Sequence, residues 1–551
     1  MRIALLSNVT VDMLAGMLKK NNDVYLSAGF DTWQQEMIIP YSGLYAYDPE
    51  AVFVLLHANA YAETWDDKAK GEALIDEWFG AIQNLCSNLP GVPVFVSSID
   101  ISNVRCRYGA EKRTESYLEN YLTEKTEELH NAGNNIYVLP VKDVINELGH
   151  SNFYSSKMWY VGSMPYSIKG LSALSELILR YAGVIKGMHK KCLAVDLDNT
   201  LWGGVIGEDG VEGIVLANNK EGARYKDAQR LMKKMKNQGV MLAILSKNNV
   251  DDVEPVFSHP DMVLQHEDFV AEVINWAPKC SNIRELAKNL NIGLDAFVFL
   301  DDNPAEREQM KAECPEVTVV DFPKDSSMLP DTVAKIYDDF FLSLEVTGED
   351  AKKTVMYKAE SQRKAEMAAA TSVEDFYKKL EMRMEIHRMR PDEEKRVTQL
   401  TNKTNQFNLT TKRYSEEEIH KLADQGDVIT VRMADKYGDQ GLVAVLILKY
   451  EEAVAEIDSF LMSCRVMGRK AEDEIIARIK GFLEEKGIDR LDAAYIRTAK
   501  NAPVANLFDN LGFETYGGSA EEIGERKDYS VSVSSLPVPT GVFAEVVEDW
   551  A

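Results

Sequence analysis

The sequence predicts a multidomain α/β protein, and three observations lead there. The chain has 551 residues, whereas single domains usually run to about 100–200. Apolar runs alternate with helical patterns along most of it. Several of those runs stop abruptly at a carboxylate or a hydroxyl, as strands do where a parallel sheet opens onto a ligand crevice. The 45% hydrophobic content is ample for packed cores.

Taken in order, strands are expected in the first third at Arg2–Leu6, Ala51–Leu56, Val92–Val96 and Asn135–Leu139, with helical patterns around 68–87 and 110–131. A helix over Leu171–Ile185 places Leu174, Leu177, Ile178 and Tyr181 on one face. A basic joint, Lys186–Lys191, leads to a second β-α series with strands at Leu193–Val195, Val240–Leu245, Phe297–Leu300 and Val317–Val320. The stretch 326–380 is charged and mostly helical in pattern. The last third carries strands near Val428–Met433, Leu442–Leu448, Ala455–Met462 and Leu491–Ile496, and helices near 471–486 and 502–511. The expected division is 1–187, 188–345, a helical connector at 346–380, and 381–551.

Charge narrows the partners. With 62 Lys and Arg against 88 Asp and Glu, the net charge is −26, which argues against nucleic acid or an anionic membrane surface as the main partner. No apolar run approaches the ~20 residues of a membrane helix. The apolar start of the chain is cut by Asn8 and Asp12, too short for a signal sequence. Six scattered cysteines without a CxxC pair suggest reduced thiols and a cytoplasmic location. The oligomeric state is not set by the sequence.

The chemistry concentrates in four places. Strand Leu193–Val195 ends in Asp196 and Asp198, followed by Asn199 and Thr200. Strand Val240–Leu245 ends in Ser246, a hydroxyl able to hold a phosphate oxygen, followed by Lys247 and Asn248. Lys279 supplies a cation, and strand Phe297–Leu300 ends in Asp301 and Asp302. Carboxylates from two strand ends make the hard oxygen site that Mg²⁺ prefers. A carboxylate nucleophile can take a phosphoryl group where a metal and a cation neutralise the developing charge. One aspartate pair alone would be an ordinary solvated strand end; four pieces in this order are not. Only 33 residues separate Ser246 from Lys279, too few for a large lid, and Gly203–Asn219 leaves room for a hairpin alone.

These elements resemble the haloacid-dehalogenase-like (HAD) phosphotransferases. The resemblance implies that Asp196 is nucleophile and metal ligand. Asp198 is then general acid/base and offers a backbone carbonyl to Mg²⁺. Ser246 and Lys279 grip the phosphoryl group, Asp301 orients Lys279, and Asp302 meets the metal. The wider string Cys192–Gly210, with Thr404–Thr411, Asp435–Leu442 and Ser463–Arg469, is similar to the FkbH-like proteins, the class IIIC phosphatases. Members that load glyceryl units dephosphorylate 1,3-bisphosphoglycerate and place the glyceryl group as a thioester on an acyl carrier protein. Residues 381–551 resemble the N-acetyltransferase (GNAT) fold, where Arg465 and Gly468 fit the [QR]xxGx[GA] loop and Lys470 does not. That implies a thioester or pantetheine site at Cys464, Arg465, Gly468 and Arg469, with Cys192 and Cys280 as further thiols. A basic patch of Arg465, Arg469, Lys470, Lys412 and Arg413 would dock an acidic carrier. The first third resembles an SGNH hydrolase of flavodoxin-type architecture in which Ser7, His57-Ala-Asn59 and Met164–Gly170 stand at the motif positions. It lacks the family's Asp–His pair, which implies a non-hydrolytic domain, with Asn8, Asn59 and Tyr166 in a polar pocket. The central domain is then a capless Rossmann-like HAD unit. A stand-alone phosphatase on a small metabolite or sugar phosphate is the alternative, and a non-enzymatic scaffold would leave the aspartates unexplained.

Overall fold

Strand β1 (Arg2–Ser7) opens a parallel five-stranded sheet with β2 (Asp23–Leu26), β3 (Ala51–Leu55), β4 (Val94–Ser97) and β5 (Ile136–Leu139), in the order β2-β1-β3-β4-β5. The computed structural model describes all residues except 28, 30, 103–108, 345–353, 355–356, 358, 360–362, 364–372, 464–465 and 551. The chain divides into two compact units, residues 1–186 with 414–421, and 187–413 with 422–551. No helix among the described residues is long and apolar enough to cross a membrane.

In the first unit the turns that follow β1 and β3 are tied together. Asn8 Nδ2 donates to the His57 carbonyl (3.0 Å), and the His57 N–H donates to Asn8 Oδ1 (2.8 Å). Ser7 Oγ donates to the Leu55 carbonyl (2.8 Å), and the described residues place no base on it. The His57 ring is 3% exposed, stacks on Trp159, and leaves Nε2 without a partner among the described residues. Burial disfavours its charged form and lowers its pKa from 6.5 to about 3. The unfolded chain therefore binds a proton below about pH 6.5 that the folded chain refuses until about pH 3. Stability is lost as pH falls through that window, by up to about 1.4 kcal/mol per pH unit. The melting temperature should drop from pH 7 to pH 5, less steeply in His57→Phe; equal slopes would contradict the assignment.

The second unit contains two sheets. The first is parallel, built from β6 (Cys192–Val195), β7 (Met241–Ser246), β8 (Phe269–Ile274), β9 (Phe297–Leu300) and β10 (Thr318–Val319), in the order β10-β9-β6-β7-β8. Both its faces are buried, as a parallel sheet requires. Leu193, Val195, Leu242 and Ile244 pack into one apolar layer, and Cys192, Ala194, Met241 and Ala243 into the other. The chain runs outward from β6 through β7 to β8, then returns to the other side of β6 as β9. The carboxyl end of β6 is thus a topological switch point, where such sheets bind ligands.

The second sheet has eight strands: β11 (Arg383–Arg388), β12 (Asp427–Asp435), β13 (Gly438–Glu451), β14 (Val454–Met462), β15 (Arg490–Ile496), β16 (Glu514–Gly518), β17 (Arg526–Ser532) and β18 (Glu545–Asp549), in the order β16-β17-β15-β14-β13-β12-β11-β18. Parallel β14 and β15 pair only over Val454–Ile457 and Arg490–Ala493. Beyond that, Phe407–Leu409 lies in the gap. Met462 N–H donates to the Phe407 carbonyl (3.0 Å), Leu409 N–H to that of Phe460 (3.2 Å), and Ile496 N–H to that of Leu409 (2.8 Å).

The structure corrects one local expectation. Residues 203–219 do not form a plain hairpin. One bridge, Gly203↔Val215, closes a loop that holds the helix Ile206–Gly213, whose first turn is capped by Asp209 Oδ2 accepting from the Val205 N–H (2.8 Å). Between β7 and β8 only short turns intervene, at Val250–Val253, Glu254–Ser258 and His266–Asp268. In 326–380 the described helices are Leu329–Ile336, continued by a π-turn at Tyr337–Phe341, and Val373–Leu380; much of the expected connector lies outside the described residues.

Candidate active site

The parallel order of β9, β6 and β7 brings three strand ends to one place. Asp196 follows β6, Asp301 and Asp302 follow β9, Ser246 ends β7, and the helix Lys279–Leu290 starts with Lys279. Carboxylate oxygens of Asp196, Asp301 and Asp302 all lie within 4.8 Å of one another. Lys279 is 2% exposed, with Nζ at 2.6 Å from Asp301 Oδ2 and 2.9 Å from Asp196 Oδ1. The second contact is an ion pair without hydrogen-bond alignment, since Asp196 Oδ1 is buried and accepts no directed donor. Three carboxylates gathered around a single buried ammonium, one of their oxygens without an aligned hydrogen bond, make a set that a hard divalent cation would complete.

The electrostatics agree. Burial, then the neighbouring Asp196 charge, pushes Asp301 up from 3.8 to about 6, against the pull of Lys279. Asp302 is raised for the same two reasons, with Lys279, an Asn199 hydrogen bond and Arg307 opposing. Burial works against the charge on Lys279, but Asp196 and Asp301 outweigh it and hold its pKa above the ordinary value. Three carboxylates around one cation leave an excess of negative charge in a buried place. Folding alone has no use for that arrangement, and clustered perturbed carboxylates are a hallmark of functional sites.

Asp198 is fixed by three donors. Trp202 Nε1 (2.9 Å) and the Ile206 N–H (3.0 Å) reach Oδ1, and Asn248 Nδ2 (3.0 Å) reaches Oδ2. Just after Asp198 the chain turns at Asn199, whose φ of 53° is a left-handed conformation that Asn tolerates. Its Oδ1 accepts from the Gly204 N–H (2.9 Å). Asn248 also approaches Ser246 Oγ at 3.4 Å. Lys247 turns to Glu306, 2.6 Å away, so its charge is already paired. Arg307 donates to the carbonyls of Asp301 and Asp302, 2.7 Å each, and braces the β9 end. Trp202, Glu306 and Arg307 are site residues that the sequence alone does not single out, and it assigns Asn199 no role. Only their nearness to the aspartate strings pointed to them.

The C-terminal candidates are less concentrated. Cys464 and Arg465 lie outside the described residues. Gly468 (φ 74°) and Lys470 (φ 63°) both take left-handed backbone, so Lys470 occupies a position where a glycine would be unstrained. Arg469 is not a surface cation: it is 5% exposed, donating to Gln440 Oε1 (3.1 Å) near Asp435, which also pairs with Arg363. Lys412 pairs with Asp458 (2.7 Å), Lys470 with Asp473 (3.1 Å), and Arg413 donates to the Asn402 carbonyl. The expected basic patch is therefore largely neutralised within the fold. Cys192 and Cys280 are buried, which raises both thiols, Cys280 to about 11; neither is a ready thiolate.

No protein-family model matches the chain, and no curated protein matches it. Among solved structures, the N-terminal part of protein BF1531 from Bacteroides fragilis, which contains a phosphatase domain and was crystallised with Mg, is similar at 27% identity. The match covers 62% of this chain and 94% of that one, with a TM-score of 0.57. Two acetyltransferases match shorter stretches, each with a TM-score of 0.22. The ribosomal-protein-S18-alanine N-acetyltransferase of Escherichia coli is 13% identical over 27% of this chain and 94% of its own. The spermidine N-acetyltransferase of Vibrio cholerae, in complex with CoA and spermine, is 13% identical over 28% and 96%.

Proposed function

We propose that this chain is a Mg²⁺-dependent HAD phosphatase that works through an aspartyl-phosphate on Asp196. One observation carries the reading: the buried convergence of Asp196, Asp301 and Asp302, with oxygens within 4.8 Å of one another, beside Lys279. The similarity to a Mg-bound phosphatase-domain protein supports it. Asp196 and Asp302, with the Asp198 carbonyl, would hold Mg²⁺, which when bound neutralises charge on the phosphoryl oxygens.

An Asp196 oxygen attacks phosphorus while the bond to the leaving oxygen breaks, and Asp198 gives that oxygen its proton. Asp198 then takes a proton from water as the water oxygen attacks phosphorus, releasing inorganic phosphate and restoring Asp196. Ser246 and Lys279 bind phosphoryl oxygens throughout, and Asp301 keeps Lys279 in place. Asn248 fixes Asp198, and Lys247 stands at the rim with Glu306.

The finer reading adds acyl transfer. The sheet order of the C-terminal domain supports a GNAT-like fold, with the loop before the helix Ala471–Glu485 as pantetheine site. On that reading the substrate is a phosphorylated three-carbon acid of the 1,3-bisphosphoglycerate type: a thiol attacks its acyl carbon as the acyl phosphate leaves, the glyceryl group ends as a thioester on the carrier protein, and Asp196 takes the phosphoryl group from the remaining phosphoester, with the domains divided as the sequence suggests. The first domain, with Ser7 bonded to a carbonyl and no base on it, is non-hydrolytic. One observation favours the alternative of a stand-alone phosphatase. Phe407–Leu409 already pairs with the β14 edge, so a pantetheine arm cannot add there as a strand.

Incubation with 1,3-bisphosphoglycerate, Mg²⁺ and a carrier protein separates the two. Phosphate release that stops with EDTA, plus a glyceryl adduct on the carrier by mass spectrometry, is the result expected of the fuller reading. Release with no adduct leaves the stand-alone phosphatase, and release indifferent to EDTA contradicts both.

A further inference from the structure

We infer that a cleft beside the phosphoryl centre is a leaving-group subsite for an uncharged, hydroxylated substrate remainder, and that it excludes substrates carrying a second anionic group there. The inference deepens the phosphoryl-transfer reading of Asp196 and rests on it.

The cleft has a volume of about 430 Å³ and is lined by residues 248–252 and 274–276. It starts at Asn248, whose Nδ2 donates to Asp198 Oδ2 at 3.0 Å. The cleft therefore shares the Asn248 side chain with Asp198, the proposed proton donor to the leaving group. Asn248 Oδ1 has no donor among the described residues and remains to accept.

Other lining residues are prearranged. Trp276 is 66% exposed, yet its indole N–H donates to Asn249 Oδ1 at 2.8 Å, and Asn249 Nδ2 in turn donates to Asp252 Oδ2 at 2.9 Å. A large aromatic ring held in one orientation while facing water contributes little to folding and offers a ready stacking face. Asn275 Oδ1 accepts from the Ala277 N–H (2.9 Å) and from Asn282 Nδ2 (2.9 Å). Those two bonds fix the amide and leave its NH₂ to donate.

The cleft thus presents a flat apolar face, an amide donor, an amide acceptor and two carboxylates. None of its lining residues is Lys, Arg or His. A polyol fits this set, with C–H groups against the indole and hydroxyls bonded to the amides and to Asp251 or Asp252. A second phosphate or a free carboxylate would face two aspartates with no cation to offset them, and like charges so placed repel.

Two sources share the required chemistry: a free polyol monophosphate, and a phosphorylated hydroxy acid whose carboxyl is tied up as a thioester. A phosphorylated three-carbon acid satisfies the cleft only in the second form, so loss of its acyl phosphate would precede cleavage of the phosphoester.

The test measures kcat/KM of the full chain with Mg²⁺. Glycerol phosphate, glucose phosphate and a phosphoglyceryl-pantetheine thioester stand on one side, fructose bisphosphate and phosphoglycerate on the other. The first group should be preferred by at least about ten-fold. Asp251→Asn with Asp252→Asn should shrink that preference about ten-fold, and Trp276→Ala should raise KM for the neutral-remainder probes about ten-fold. Preference for glycerol phosphate or for the thioester identifies the source, and either supports the subsite. Preference for the bisphosphate, or a ratio unmoved by the aspartate changes, overturns it. A second readout does not need turnover: tryptophan fluorescence of Asp196→Asn protein titrated with glycerol phosphate, repeated with Trp276→Ala added. A Trp276-dependent signal in a protein whose wild type releases no phosphate upholds the cleft and overturns the phosphoryl-transfer reading. Turnover without that signal does the reverse.

Discussion

Asp196→Asn is expected to abolish phosphate release, by about four orders of magnitude in kcat, the scale on which enzymes lose rate when a nucleophile is removed. Asn keeps the shape of the side chain but cannot attack phosphorus, so the loss should appear in kcat for every substrate the wild type cleaves. The same change should make the metal-free protein more stable. Asp196 is a named cause of the raised pKa of both Asp301 and Asp302, so its charge works against theirs in a buried site. Removing it relieves that repulsion, while Lys279 keeps Asp301 as partner at 2.6 Å. A higher melting temperature in EDTA together with lost turnover separates a missing nucleophile from a collapsed site. Asp198→Asn should behave differently. On the proposed mechanism it lacks both the proton donor of the first step and the base of the second, so with an acyl phosphate, whose leaving carboxylate needs no proton, acid-quenched protein should retain radiolabelled phosphate on Asp196. Full turnover in Asp196→Asn would refute the assignment outright.

Much of this site was readable from sequence because its parts are strand ends. An apolar run that stops at a carboxylate or a hydroxyl marks both the element and its functional end, and β6 and β9 have the first form and β7 the second. Period and composition also located the β12, β13, β14 and β15 strands. What escaped was held by different physics. Strand β8 is an edge strand whose outer half carries Glu272 and half-buried residues, so it lacks a continuous apolar signal. Strand β2 is a four-residue edge strand. The loop after Thr200 folds as a helix because Asp209 caps it, a contact that polarity patterns do not reveal. Pairings across the chain were equally hidden. Glu306 neutralises Lys247 from 59 residues away, and Lys412 and Lys449 both meet the buried Asp458. The proposed basic patch counted cations by sequence, whereas the fold gives most of them a carboxylate or carbonyl within reach. The filling of the β14–β15 gap by Phe407–Leu409 is a long-range register that no local pattern encodes.

Lys279→Met is expected to be the most destabilising single change at this site. Among the described residues Lys279 is the one cation that contacts both Asp196 and Asp301, and all three side chains are buried. Breaking a buried pair by deleting one partner costs about 3–5 kcal/mol, because the other charge is left uncompensated. Here two carboxylates lose their partner at once. The pH dependence follows from the sign of the shift. Asp301 already holds its proton to about pH 6 in the folded state, against 3.8 for the ordinary carboxyl. Between those values the folded chain binds more protons than the unfolded one, so its contribution to stability falls as pH rises through about 4 to 6. Without Lys279 the raising influences of burial and Asp196 stand unopposed by that cation. The fall should then extend to higher pH. Added Mg²⁺ should recover more melting temperature in Lys279→Met than in wild type, because a divalent cation takes over the missing compensation. Turnover should stay depressed by about a hundred-fold or more even with the metal present, since the donor aimed at the phosphoryl oxygens is gone. A variant as stable in EDTA as the wild type at pH 7, with unchanged phosphate release, would show that these three carboxylates do not depend on Lys279 and that the buried cluster is balanced by some other means.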